Sequence, residues 1–446
     1  MNRYPSYKPS GVNWLGEIPS HWESIPLKKC FISSESGLWG DDPKQNDDDV
    51  ICIRVADFDY SKFSIKTDHL TLRSYGNMLS ENKNLTKGDL LLEKSGGGEL
   101  FPVGRVVRFN LDLGKTTCSN FIQKLSPSQK YCSSFLCYLF SSMYTKKVNG
   151  LFYNQTTGIQ NLKIKEYLNQ TVFLPPLDEQ TAIANYLDTA TAKIDAAIAQ
   201  QQKMIDLLNE RKQIIINRAV TKGLNPNAKM KDSGVEWIGE VPEHWKIRKL
   251  GTIGSTINGV SHDSSYFGEG EPFVSYSDVY KNYSLPKLVS GLAKSSMQER
   301  LIFSVEKGDV FFTRTSETAE EIGFTSTCLE TIPNAVFAGF LIRFRPQAGL
   351  LDPNFSMYYF RANIHRSFFV KEMNLVIRAS LSQQLLRGLP VLLPPLQEQC
   401  DISNYLKREI NEIDLCLNSK MKQITLLQER KQIIINEVVT GKVKVI

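Results

Sequence analysis

Two long stretches of the chain carry apolar residues at alternating steps of three and four. The first runs through Ile183, Leu187, Ala190, Ile194, Ala197, Gln201, Ile205, Leu208 and Ile215, with one doubled step before the last. The second runs through Ile402, Leu406, Ile410, Ile413, Leu417, Ile424, Leu427 and Ile434. Such spacing places one apolar seam along one face of a helix, close to the heptad pattern of a coiled coil. From Asp178 to Val220 the first helix would be ~65 Å long at 1.5 Å per residue, more than a small domain needs for its own core. Two helices with one seam each bury those seams most simply against each other, and a two-fold relation across the pair makes them antiparallel.

Each stretch follows the same junction, Phe173-Leu-Pro-Pro-Leu-Asp-Glu-Gln180 and Leu392-Leu-Pro-Pro-Leu-Gln-Glu-Gln399. Paired prolines end the preceding strand and leave the chain ready to start a helix with acidic residues in its first turn, where the helix dipole favours them. Ahead of the junctions, Lys87-Gly-Asp-Leu-Leu-Leu-Glu-Lys-Ser95 and Lys307-Gly-Asp-Val-Phe-Phe-Thr-Arg-Thr315 read as turns leading into buried strands. The segments 120–127 and 339–346 read as strands closed by proline, and 134–140 and 354–360 as helices capped by the leading Ser134 and Asn354. The first helix ends near Gly223, and residues 225–231 read as a linker.

These matched blocks make the chain an internal duplication with a period of about 220 residues, a repeated domain rather than a solenoid, whose period would be roughly 20 to 50. Ser10-Gly-Val-Asn-Trp-Leu-Gly-Glu-Ile-Pro-Ser-His-Trp22 returns as Ser233-Gly-Val-Glu-Trp-Ile-Gly-Glu-Val-Pro-Glu-His-Trp245, and Glu210-Arg-Lys-Gln-Ile-Ile-Ile-Asn217 returns unchanged as 429–436. Residues 31–82 and their counterpart, by contrast, share almost nothing alignable. The expected class is α+β: two globular mixed heads at 1–176 and 223–395, and two long helices at 177–222 and 396–446 forming an antiparallel coiled coil, with an internal pseudo-two-fold repeat. A frame held constant around heads that differ favours two different readers over two equivalent catalysts.

With 446 residues, 41% hydrophobic and 22% charged, the chain is in the globular class, and its net charge of +6 is compatible with a polyanion partner without requiring one. No run approaches the ~18 apolar residues of a membrane span and the start lacks a signal-peptide core, so no membrane and a cytoplasmic location are expected. The eight cysteines form no CxxC pair and read as buried or surface thiols. Phosphate-loop, HExxH, GxSxG and dinucleotide glycine motifs are absent, so neither a metal nor a catalytic residue is expected. The glycines at 96–98 and 104 suit a turn, with a backbone anion contact as the other reading. His21 and His244 suit hydrogen-bonded corners, and Asp89 and Asp309 suit strand-entry turns.

Polar and cationic residues near turns of the heads are the candidates for contact with a nucleic acid. In the first head these are Lys94, Ser95, Arg105, Asn154, Gln155, Thr156 and Thr157; in the second, Arg314, Thr315, Ser316, Arg343, Arg345, Arg378, Ser380, Gln383 and Gln384. Arginine suits guanine edges, Asn and Gln suit adenine, and Ser or Thr either, although each residue alone also suits a solvated surface or a turn.

The repeated junction, the duplicated Glu-Arg-Lys-Gln helix ending, Trp14-Leu-Gly-Glu-Ile-Pro-Ser-His-Trp22 and Lys87-Gly-Asp-Leu-Leu91 with Ser95-Gly96 resemble the specificity subunit of type I restriction–modification enzymes over essentially the whole chain. The resemblance implies that each head is a target recognition domain reading one half of a split, asymmetric duplex DNA target. It implies that the helices fix the gap between half-sites and, with the repeated frame, dock two methyltransferase subunits. S-adenosylmethionine, and ATP with magnesium, would then act on the methyltransferase and restriction subunits, with no cofactor and no catalysis on this chain. The second head departs at Val376-Ile-Arg-Ala-Ser-Leu-Ser382, which lacks the glycine of Thr156-Thr-Gly-Ile-Gln-Asn-Leu162. A protein-binding scaffold with two divergent heads is the rival reading, which strong salt dependence of duplex DNA binding would exclude.

Overall fold

A computed structural model describes residues 3–76, 79–156, 158–315, 322–373 and 380–445. The chain divides into two compact units, one of residues 1–201 with 422–446, the other of 202–421. Each is therefore a head together with one half of each long helix. The sequence set the helices apart from the heads; packing shares them out instead.

In the first unit a four-stranded antiparallel sheet runs in the order Val106–Arg108, Leu90–Glu93, Ile122–Pro127, Phe31–Ser36. Gly88 turns the chain into its central strand at φ +97°, a left-handed conformation that L side chains rarely adopt. Successive strand residues point to opposite faces. Leu90 and Leu92 pack with Phe135, Leu136, Phe140 and Met143 of the helix Ser133–Thr145. Leu91 packs on the other face with Ile53, Phe58, Val107 and Phe109. Both faces are covered, which is why the strand reads as an unbroken apolar run. The second face carries a smaller sheet, in which Thr116–Cys118 runs parallel to Asp49–Ile53 and Thr71–Ser74 antiparallel to it.

The second unit repeats this plan. Its sheet has the order Gly254–Asn258, Leu341–Pro346, Val310–Thr313, Thr325–Thr327, again antiparallel throughout. Gly308 has φ +95° at the equivalent turn, Val310 and Phe312 face the helix Pro353–Arg361, and Phe311 faces the other way. The smaller sheet again has one parallel pair, Val336–Phe337 with Phe267–Val274, and an antiparallel neighbour, Gly291–Ala293. The segments that share almost no alignable sequence thus share a topology. Neither head helix is capped as its sequence suggested. Asp352, not Asn354, caps the second, accepting from Phe355 N with Pro353 in the first turn, and no side chain caps the first at Cys132.

The long helices are Leu177–Lys222 and Leu396–Val439. In the first unit Ile183 and Leu187 share a core with Ile435, Val438 and Val439; in the second Ile216, Ala219 and Val220 share one with Ile402, Leu406 and Ile410. Low numbers meet high in both, so the segments pair antiparallel within each unit. Two seam positions are corrected: Ile216 and Ile435 are fully buried, whereas Ile215 and Ile434 pack only partly against the core. The cause lies in the doubled step of the pattern. Lys212 and Lys431 occupy the skipped seam positions, each held by a carboxylate of the facing helix: Lys431 Nζ is 2.6 Å from Asp195 and Lys212 Nζ 2.7 Å from Asp414. The other expected seam residues Ile194, Ile410 and Ile413 are buried, and Ile205, Leu208, Leu417, Ile424 and Leu427 are half-buried.

Candidate functional site

The repeated motifs meet in one clasp per unit. The acidic residue in the first turn of each long helix binds the histidine and tryptophan of the neighbouring hairpin. Glu179 Oε2 lies 2.8 Å from His21 Nε2, while its Oε1 accepts from Trp22 Nε1 and from the Tyr4 hydroxyl. Glu398 Oε2 lies 2.8 Å from His244 Nε2 and accepts from Trp245 Nε1 at 3.0 Å. The next residue ties the clasp to the head. Gln180 accepts from Cys132 N and donates to Pro175 O; Gln399 accepts from Asp352 N and donates to Pro394 O and Leu350 O. Both glutamines are almost wholly buried, so their amides hold the start of the head helix against the proline turn. The clasp closes on the end of the other long helix, with Gly441 against Pro19 and Trp22, and Gly223 against Trp245 and Glu398.

The Glu-Arg-Lys-Gln repeat fastens helix to head. Besides Asp195, Lys431 Nζ donates to Ser61 O, and Gln432 lines a cleft of about 930 Å³ with Tyr60, Phe63, Phe101, Arg105 and Tyr144. Lys212 lies 5.8 Å from the centre of the Tyr283 ring, whose hydroxyl accepts from Gln213. Sequence reasoning passed over Lys212, Lys431, Asp195 and Asp414. The signal was there in the step skipped between Leu208 and Ile215 and again between Leu427 and Ile434.

Among the candidate contact residues, three arginines are committed inside their heads, which corrects the expectation for them. Arg105 makes a two-pronged pair with the buried Glu93, at 2.8 and 3.1 Å, and lies 3.7 Å over the Tyr60 ring. Arg345 pairs in the same way with Asp309, at 2.6 Å on both prongs, and reaches Glu306 as well. Arg343 is buried and donates to the carbonyls of Ile302 and Ser304; burial pushes its guanidinium below the usual arginine range. Donors already engaged in this way are costly to withdraw. Asp89 and Asp309 each accept from the backbone three residues upstream, the strand-entry turn expected, and also anchor a cation of the next strand, Lys124 and Arg345.

The remaining candidates in the first head gather on one edge. Ser95–Gly96 pairs with Ile159–Leu162, which forms a hairpin with Tyr153–Thr156. Ser95 Oγ donates to Asn161 Oδ1 at 2.6 Å, and Asn154 and Gln155 are exposed. Lys94 is half-buried, donating to Ser36 Oγ, and burial lowers its ammonium below the usual lysine range. With Ser95, Asn161, Lys163 and Lys165 it lines a shallow cleft of about 450 Å³. Gly96 at φ +115° and Gly97 at +53° form a turn in this edge.

In the second head Arg314 takes the place of Lys94, down to its backbone pairs. Lys94 N donates to Phe121 O and its carbonyl accepts from Leu162; Arg314 N donates to Phe340 O and its carbonyl accepts from Leu381. Thr315 bridges Ser380, which is exposed, and Gln384 is exposed as well. Gln383 is taken up by Thr256, whose hydroxyl donates to it at 3.0 Å. Thr157, Ser316 and Arg378 lie outside the described residues, as does most of the stretch that lacks the glycine. Among the described residues no group of three or more His, Cys, Asp or Glu could hold a metal ion. Among the described residues no helix is long and apolar enough to cross a membrane.

Residues 52–205 match the type I restriction modification DNA specificity domain. The specificity subunit of the type I restriction enzyme EcoKI from Escherichia coli K12 is 25% identical over 399 residues, covering 87% of this chain and 82% of that protein. The putative MjaX specificity subunit from Methanocaldococcus jannaschii is 26% identical over 455 residues, covering 97% and 96%. Over most of its length the chain is similar to type I specificity subunits. Its fold agrees: a chain solved in a study of complex assembly and conformational transition of the type I restriction–modification system matches with a TM-score of 0.65 at 17% identity, covering 96% of this chain and 99% of that one. The HsdS subunit from Thermoanaerobacter tengcongensis matches at 0.52, also at 17% identity, covering 98% and 100%. The histidine, tryptophan, glutamate and glutamine of the clasp are letters the two copies share, whereas the exposed polar edge is made of letters they do not.

Proposed function

We propose that this chain selects the DNA sequence on which a type I restriction–modification complex acts. Each head reads one half of an asymmetric, two-part duplex target. The paired long helices set the gap between the halves, and the repeated frame docks two methyltransferase subunits, through which restriction subunits join. S-adenosylmethionine, ATP and magnesium belong to those partners, and the chain performs no catalysis of its own. The complex works in the cytoplasm.

The observation that supports this best is the contrast between the copies. The frame repeats its histidine–glutamate, tryptophan–glutamate and glutamine–backbone bonds in both copies, while two heads of one topology present different polar side chains at equivalent places, with Lys94 against Arg314 the clearest case. Identical sites would suit a symmetric target; different base-edge contacts on a common scaffold suit an asymmetric one. Co-expressing the chain with a methyltransferase partner and mapping methylated adenines across a genome tests the reading. Exchanging residues 31–172 for those of a relative should change one half of the mapped target and leave the other. A change in both halves, or none, would rule out independent readers.

A further inference from the structure

The turn between Ser95 and Arg105 carries the largest exposed apolar side chains of the candidate edge. Leu100 is 87% exposed and Phe101 63%. They sit at a tip whose base is fixed on several sides. Gly98 N donates to Phe101 O, closing the turn. Gly97 packs so tightly on Val103 and Gln160 that a Cβ would clash with both. The Tyr144 hydroxyl donates to Pro102 O, Asn149 Nδ2 to Val103 O, and Val103 N to Gln160 Oε1. Arg105, locked to Glu93, lies 5.5 Å from the centre of the Phe101 ring. Two apolar side chains are thus presented to solvent on a braced support, although burying them against their own head would be favourable.

The surroundings indicate what covers them. The tip continues directly from Ser95–Gly96, the strand that pairs with the hairpin bearing Asn154 and Gln155, and Lys94, Lys163 and Lys165 line the cleft beside that strand. A cationic, amide-bearing edge with a rigid apolar tip has the chemistry of a nucleic-acid surface that pries at a base step. Proteins that do so insert Leu or Phe between stacked bases and kink the duplex. We propose that Leu100 and Phe101 form a wedge that enters the base stack of duplex DNA at the half-site read by the first head. The inference rests on the DNA-reading function above and adds a deformation to it. Flexible pyrimidine–purine steps are then favoured under the wedge, at positions with no base-edge contact.

The test uses the full chain in complex with its methyltransferase partners and duplexes with 2-aminopurine substituted one position at a time across the mapped target. Fluorescence should rise several-fold at one step of the first half-site on binding, and L100A/F101A should abolish the rise and weaken binding about tenfold, as loss of base stacking does. L100M/F101W should retain both. Flat fluorescence throughout, with salt-dependent binding intact, overturns the wedge and leaves the reading function standing. Absence of salt-dependent binding overturns both. Failure of L100A/F101A to co-purify with its partners, together with flat wild-type fluorescence, overturns the wedge by making the tip a protein contact.

Discussion

Lys431 bonds both oxygens of Asp195 across the helix pair, at 2.6 and 2.7 Å, and its repeat partner Lys212 meets Asp414 at 2.7 Å. The residue numbers in each pair sum to the same total, so both bonds report one antiparallel register. A charged residue in an apolar seam costs stability unless it is paired, and a single polar position can fix the register of a coiled coil. Lys431→Ala should therefore destabilise the first unit by about 3 kcal/mol, because it strands a partly buried carboxylate and leaves Ser61 O without its donor. Urea denaturation measures this, and adding Asp195→Ala should recover part of the loss. Lys212→Ala should cost less, since Asp414 is 45% exposed. Equal and negligible effects at both sites would remove the pins from the account of the frame.

The heads divide their polar residues into those that build and those that face outward. Arg105→Ala should lower stability, since it leaves the buried Glu93 carboxylate unpaired, with a loss of about 3 kcal/mol and unfolding at lower urea. Asn154→Ala should leave the urea midpoint within about 0.5 kcal/mol of wild type, as exposed positions do, and alter the bases tolerated in one half of the target. Methylation mapping reads the second effect. The reverse pattern, altered specificity from Arg105 and lost stability from the hairpin, would invert the assignment.

What the sequence revealed was whatever depends on period and punctuation. The apolar seams, the proline junctions and the Gly-Asp strand entries are local, so they were legible in both copies. The lysines at 212 and 431 were not, because a cation breaks the apolar pattern and only the facing aspartate explains it. Arg343 and Arg345 looked like surface cations for the converse reason: a strand residue shows its face only once its neighbours are placed. Residues 31–82 hid their shared topology because strand pairing between distant segments constrains burial at a few positions and leaves the rest to vary. The same freedom lets one scaffold present two different edges.

His365 makes the second unit sensitive to acid. It is wholly buried beside Tyr359, with Nε2 at 2.9 Å from the Tyr359 carbonyl, and burial lowers its pKa to about 3. An unfolded histidine titrates near 6.5, so as pH falls below that value the unfolded chain takes up a proton that the folded chain refuses. The folded state should lose up to about 1.4 kcal/mol per pH unit from this group as pH falls from 6.5 towards 3. His365→Phe should flatten that slope by one proton, read from urea midpoints at pH 7, 6 and 5. An unchanged slope would mean that the ring is protonated in the fold.

If the helix pair is a ruler, length added to both helices in register should appear as distance on DNA. The pairing of Asp195 with Lys431 places Gln201 opposite Thr425. Seven residues inserted after Gln201 and seven after Ile424 preserve the seam, since a heptad is close to two helical turns, and add ~10 Å at 1.5 Å per residue. At ~3.4 Å per base pair that is about three base pairs. Methylation mapping should show the same two half-sites with a gap wider by about three. An insert in one helix alone shifts Asp195 and Asp414 against Lys431 and Lys212, so it should destabilise the chain rather than lengthen the gap. A target unchanged by the matched inserts would show that the spacing is set elsewhere in the complex.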